Sequence, residues 1–98
     1  MLSKNEILKI LSRIKGHLSQ YGVSRIGLFG SSVRGDASLG SDIDILIDFQ
    51  NDKETYQNFI STCEFLENEL KGQRVDVVTF KGLSPYIGKS ILNEVVYV

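Results

Sequence analysis

Two aspartates, Asp42 and Asp44, stand one residue apart in a segment whose other positions are mostly apolar. In a strand, side chains two positions apart project from the same face, with Cα atoms ~6.5 to 7 Å apart. The two carboxylates can therefore converge on one point above a sheet. Such hard oxygen ligands suit Mg²⁺ or Mn²⁺, and Mg²⁺ commonly takes substrate phosphates and water as its other ligands. The pair predicts a divalent metal site that includes a bound nucleotide.

A third carboxylate, Asp76, interrupts a later apolar run. If its strand lies beside the strand of Asp42 and Asp44, the Asp76 side chain falls on the matching face. Three carboxylates are enough to hold two metal ions ~3.5 to 4 Å apart, one to activate a hydroxyl and the other to steady a triphosphate. We therefore predict these three aspartates as metal ligands and catalytic residues, with two Mg²⁺ ions.

A glycine and a serine, Gly30 and Ser31, precede the acids in the stretch GSSVRGDASLGSDID. A glycine at a strand end lets the backbone approach a phosphate, and the amide and hydroxyl of Ser31 can donate to phosphate oxygens. Arg34 can either add positive charge beside this cradle or tie the loop to an acid. The predicted nucleotide-binding residues are therefore Gly30, Ser31 and Arg34. A P-loop does not fit, because Asp36 stands where that motif needs lysine.

Helical and extended patterns alternate along the chain. A capping-box signature at Ser3 and Glu6 opens a helix that ends near Gly22. A second helix is expected after a cap at Asn51 or Asp52. Helices that alternate with strands predict an α+β domain, in which a small sheet carries helices packed on one face.

Four extended segments are expected, over residues 23–29, 42–49, 74–80 and 95–98. Alternation within residues 42–49 places the apolar side chains on a core face and the aspartates on the other. A last short helix is expected to open at Ser84 and Pro85 and to run to about residue 93.

Composition bounds the class of protein. A chain of 98 residues predicts one domain, residues 1–98. Eleven basic and twelve acidic residues give a net charge of -1, so no overall basic field favours direct nucleic-acid binding. The one cysteine forms no disulfide or zinc cluster, and no apolar run approaches the ~18 residues of a membrane span. We therefore expect a cytoplasmic protein that does not enter a membrane.

The stretch GSSVRGDASLGSDID resembles the nucleotidyltransferase signature, in which ten residues separate Gly-Ser from Asp-x-Asp. The chain's size and its ending SPYIGKSILNEVVYV resemble the minimal nucleotidyltransferase (MNT) domains that act as antitoxins beside HEPN-domain toxins. The resemblance implies the mixed-sheet polymerase-β-like fold. It also implies that Gly30 and Ser31 hold the nucleotide phosphates and that Asp42, Asp44 and Asp76 bind Mg²⁺.

The activity that the resemblance implies is transfer of AMP from ATP onto a hydroxyl, with pyrophosphate leaving. MNT antitoxins modify a tyrosine of their toxin or bind and block it, so a HEPN-domain toxin is the implied partner. Few residues follow Asp76, which favours an acceptor site supplied by that partner. Two alternatives stay open: an inert binding module that acts by occlusion, and a small-molecule nucleotidyltransferase of the aminoglycoside type.

Overall fold

The computed structural model describes all 98 residues, in which four helices and four strands alternate. The helices are α1 (Lys4–Leu18), α2 (Ser31–Arg34), α3 (Tyr56–Glu69) and α4 (Ile87–Glu94). The strands are β1 (Val23–Phe29), β2 (Ile43–Phe49), β3 (Val75–Thr79) and β4 (Val96–Tyr97). Single 3₁₀ turns follow α1 and β3. All four predicted strands and all three longer predicted helices are therefore present.

The four strands form one mixed sheet in the order β3-β2-β1-β4. Strand β1 runs antiparallel to both β2 and β4, whereas β2 and β3 are parallel. The mixed α+β fold is confirmed, and so is the expected neighbourhood of the second and third strands. Because α3 connects β2 to the parallel strand β3, the two strands point the same way and bring their first residues to the same end of the sheet.

Helices α1 and α3 pack on one face of the sheet and bury the main hydrophobic core. The alternate apolar residues of β2 meet the apolar stripes of both helices there, as the strand alternation predicted. The buried residues of this core are Ile7, Leu11, Ile14, Leu18, Val23, Ile26, Leu28, Ile43, Ile45, Ile47, Phe49, Leu66 and Leu70.

The short helix α4 differs from the expectation that the helices share one face. Its Ile91 packs with Phe29 and Leu46 on the opposite side of the sheet, which also carries the aspartates. Gly27 makes room for the chain that follows α4, because a Cβ at this position would lie 2.6 Å from a methyl carbon of Val95. The second face therefore holds a small core of its own beside the acids.

Helix α3 begins at a different cap from the predicted one. The hydroxyl of Thr55 accepts the N–H of Asn58 at 3.1 Å, so Thr55 is the N-cap rather than Asn51 or Asp52. Those two residues form a turn instead, and Asp52 has a φ of 67°, which aspartate tolerates better than most residues. Asn51 and Asp52 therefore belong to the turn before α3 and do not cap the helix.

The predicted capping box at Ser3 is present, whereas the predicted start of the last helix at Ser84 and Pro85 is wrong, because Tyr86 is the N-cap of α4. Ser3 and Glu6 form a reciprocal capping box at the start of α1, with hydrogen bonds of 3.1 and 2.8 Å. The Ser84 hydroxyl accepts the N–H of Ile87 at 3.1 Å, although α4 itself begins at Ile87. None of the helices combines the length and apolar character needed to cross a membrane.

Candidate active site

Asp44 and Asp76 lie side by side on the sheet face opposite the main core. Parallel pairing of β2 with β3 places the two residues directly next to each other, on strands that are ~4.8 Å apart. Asp44 is half-buried and Asp76 is exposed. The predicted placement of Asp76 beside Asp44 on the matching face is confirmed by the register of the strands.

Asp44 occupies an environment that disfavours its negative charge. Partial burial raises the pKa of its carboxyl group, and the neighbouring charges of Asp76 and Asp42 raise it further, against the opposing effect of Arg34. The surplus of negative charge at this point is the kind that a divalent cation relieves. The electrostatics of the pair therefore agree with the hard-cation site predicted from the residue types.

Asp42 stands just before β2, and its carboxylate pairs with the guanidinium of Arg74 at 3.1 Å. Asp42 and Asp76 line the same shallow depression. No three His, Cys, Asp or Glu side chains in the structure form a ready metal-holding group. The structure thus brings Asp44 and Asp76 together, while Asp42 lies nearby with a different partner, and the metal-binding roles of all three stay predictions.

Gly30 connects β1 to α2 in a backbone conformation that favours glycine, with a φ of 79°. A Cβ at this position would collide with the carboxylate of Asp44. Glycine is therefore required here for two reasons. Its φ of 79° and ψ of -152° lie in a region that is essentially restricted to glycine, and Asp44 approaches too closely for a Cβ. Ser31 follows as the first residue of α2, which therefore starts next to the acid pair.

Arg34 ends α2 and is held by two carboxylates. Its Nη1 lies 3.3 Å from both carboxylate oxygens of Glu94, and its Nε lies 3.3 Å from Asp36. Glu94 also accepts the backbone N–H of Gly30 at 2.8 Å. Of the two roles considered for Arg34, the structure shows the tie to an acid, and binding of a nucleotide by Arg34 stays a prediction.

Sequence reasoning missed Glu94 as a residue of this site. It is the last residue of α4 and is separated from Arg34 by 60 positions. Its only signal in the sequence is an acid at the end of an amphipathic helix, where a positive charge is the usual choice. Only the packing of α4 on the acidic face brings it to the loop.

A separate charged cluster lies further along β2 on the same face. Asp48 pairs with Arg25 at 3.5 Å and approaches Lys81 at 4.0 Å. The guanidinium of Arg25 lies 5.2 Å from the ring centre of Phe80 and 5.0 Å from that of Tyr97. These contacts pair the Oδ2 atom of Asp48 and leave its buried Oδ1 without a hydrogen bond. Its charged neighbours are Arg25 and Lys81, so Asp48 does not belong to the acid pair.

The pH dependence of stability reports the charge state of Asp44. Its raised pKa means that the folded protein binds this proton more tightly than the unfolded chain does. The free energy of unfolding should therefore fall as the pH rises from the ordinary aspartate pKa to the raised one. We expect Asp44→Asn to remove this part of the fall in urea denaturation curves measured with a chelator present. Parallel pH profiles for the variant and the wild type would contradict the assignment.

The sequence model of the nucleotidyltransferase domain matches residues 5–98, and the chain therefore belongs to the nucleotidyltransferase-domain family. It is 46% identical over 99 residues to the protein adenylyltransferase MntA of Thermococcus cleftensis, covering 100% of this chain and 98% of the relative. It is 39% identical over 101 residues to MJ1379 of Methanocaldococcus jannaschii, named as a candidate protein adenylyltransferase, covering 100% of both chains.

Solved structures agree with this family. A chain described as a minimal nucleotidyltransferase superimposes with a TM-score of 0.83 at 28% identity, covering 97% of this chain and 95% of that one. A toxin–antitoxin structure crystallised with AMP-PNP superimposes with a TM-score of 0.67 at 24% identity, covering 98% of this chain and 72% of that one. The second likeness concerns the fold alone.

Proposed function

We propose that this chain is an MNT antitoxin, a protein adenylyltransferase that moves AMP from ATP to a hydroxyl of a HEPN-domain toxin. The acceptor is a tyrosine by the family resemblance. The observation that carries the proposal is the pairing of Asp44 with Asp76 beside the loop that starts at Gly30 and Ser31. The full-length similarity to a protein adenylyltransferase supports the choice of AMP and of a protein acceptor.

The donor set on this face fits Mg²⁺. Asp44 and Asp76 present carboxylate oxygens from neighbouring strand positions, and Asp42 would join them by giving up Arg74. We assign these three residues as the ligands of two Mg²⁺ ions. When bound, the ions would neutralise charge on the triphosphate and favour ionisation of the acceptor hydroxyl.

The protein's own part in the reaction is alignment. The acceptor hydroxyl gives up its proton to water, its oxygen forms a bond to the α-phosphorus of ATP, the bond from that phosphorus to the bridging oxygen breaks, and pyrophosphate leaves. The amide and hydroxyl of Ser31 orient the phosphates, and the close approach of Gly30 to Asp44 keeps them next to the acids. Little further covalent chemistry is needed from the side chains.

We further propose that the 98 residues work as one catalytic domain in the cytoplasm. The toxin supplies the acceptor and completes the active site. Nucleic acid and membrane have no direct part in this reaction, in keeping with the net charge of -1.

Labelled ATP tests the function. The chain is incubated with Mg²⁺, a HEPN-domain toxin, and ATP labelled at either the α- or the γ-phosphate. We expect the toxin to retain the α-label but not the γ-label, and a chelator to abolish labelling. Toxin neutralised without any label would instead support occlusion. Neither label nor neutralisation would show that the proposed function is wrong.

A further inference from the structure

One carboxylate, that of Glu94, holds both ends of the short helix α2. It accepts the backbone N–H of Gly30 at 2.8 Å, just before α2 begins. It also lies 3.3 Å from the Nη1 atom of Arg34, the last residue of α2. A four-residue helix is far too short to be stable by itself, so α2 depends on contacts of this kind.

The hydrogen bond from Gly30 to Glu94 also determines which backbone N–H groups of the loop are available to a ligand. The Gly30 N–H already has a charged acceptor, and hydrogen bonds to a carboxylate are stronger than neutral ones. Ser31 is the next residue, and none of the side chains bonded to the loop uses its hydroxyl. Glu94 thus occupies the start of the loop and leaves Ser31 beside Asp44.

Helix α4 fixes the position of Glu94. Ile91, one turn before Glu94, is buried against Phe29 and Leu46 on the acidic face. The Glu94 side chain is 25% exposed, so it is partly shielded from water and its contacts are screened less than those of a surface pair. The packing of α4 therefore holds the Glu94 carboxylate next to the loop that follows β1.

We propose that Glu94 is a positioning residue of the nucleotide site, which holds α2 so that Ser31 faces the phosphates bound at Asp44 and Asp76. The inference rests on the proposed function. Glu94 itself touches no substrate, and it acts through Gly30 and Arg34. Phosphate cradles depend on donors that are fixed before the ligand arrives, so a loosened α2 would weaken nucleotide binding.

Hydrogen exchange and calorimetry test this role. In Glu94→Ala we expect the amides of residues 30–35 to exchange at least about tenfold faster, with the amides of β2 unchanged. The dissociation constant of AMP-PNP in the presence of Mg²⁺ should rise by about tenfold, and the melting temperature should fall by only a few degrees, since a local contact is lost. Glu94→Gln keeps an oxygen that can accept the Gly30 N–H, so its amide exchange and its affinity for AMP-PNP should change less than those of Glu94→Ala. Glu69→Ala is the matched control, because Glu69 pairs with Arg13 at 3.0 Å on the helical side of the sheet.

Two results would overturn the proposal. Unchanged exchange over residues 30–35 in Glu94→Ala would show that Glu94 does not hold the loop. Tighter AMP-PNP binding in that variant would show that Glu94 competes with the phosphates instead of positioning their donors. A wild-type chain that binds no AMP-PNP would refute the proposed function, whereas the exchange result would still decide whether Glu94 anchors α2.

Discussion

Replacing Asp42 and Asp44 together by asparagine is expected to reduce adenylyl transfer by at least about a thousandfold, because the variant loses two of the three carboxylates proposed to hold the metal ions. The fold should survive. The charge of Asp44 is disfavoured by burial and by Asp76, so its removal relieves repulsion. The free energy of unfolding should therefore be unchanged or slightly higher than that of the wild type near neutral pH.

The measurement compares the rate at which the toxin is labelled with the urea denaturation curve of each variant. Asp52→Asn is the matched control, because Asp52 is an exposed turn residue with a φ of 67° that asparagine also adopts. The control should label the toxin at the wild-type rate. Equal labelling by the double variant and the wild type would remove Asp42 and Asp44 from the reaction.

Gly30→Ala is expected to cause the second large effect, a loss of both stability and transfer. Alanine at a φ of 79° and a ψ of -152°, a region that is essentially restricted to glycine, carries a backbone penalty of about 1 to 3 kcal/mol. Its methyl group would also collide with the carboxylate of Asp44. Because that contact lies inside the proposed site, relief of the collision must displace either the acid or the loop. We expect the free energy of unfolding to fall by about 2 to 4 kcal/mol and labelling of the toxin to cease.

Gly40→Ala separates the backbone penalty from the collision. Gly40 also has a positive φ, of 92°, but a Cβ there would meet nothing within 4 Å. The free energy of unfolding of Gly40→Ala should fall only by the backbone penalty, about 1 kcal/mol, and this variant should retain most of its transfer activity. Denaturation curves and labelling rates of the two variants give the comparison. If Gly30→Ala matched Gly40→Ala in both unfolding free energy and labelling rate, the close contact between Gly30 and Asp44 would not be needed for function.

Much of the fold was predictable because it depends on residues close together in the sequence. The alternation of apolar and acidic residues in β2 predicted its two faces, and the capping box at Ser3 and Glu6 predicted the start of α1. The spacing from Gly30 to Asp44 is also a local pattern, and it indicated the nucleotidyltransferase family. Where several local signals competed, as at Asp52 and Thr55, the prediction chose the wrong cap.

The sequence alone therefore determined the element types, the faces of the strands and the family to which the chain belongs. Only the tertiary structure decided that Asp44 lies beside Asp76, that Asp42 pairs with Arg74, and that Glu94 reaches the loop at Gly30. Periodicity, caps and turns act over a few residues, so one sequence displays them. Strand register and the seating of α4 depend instead on contacts between distant segments, whose partners no local pattern specifies.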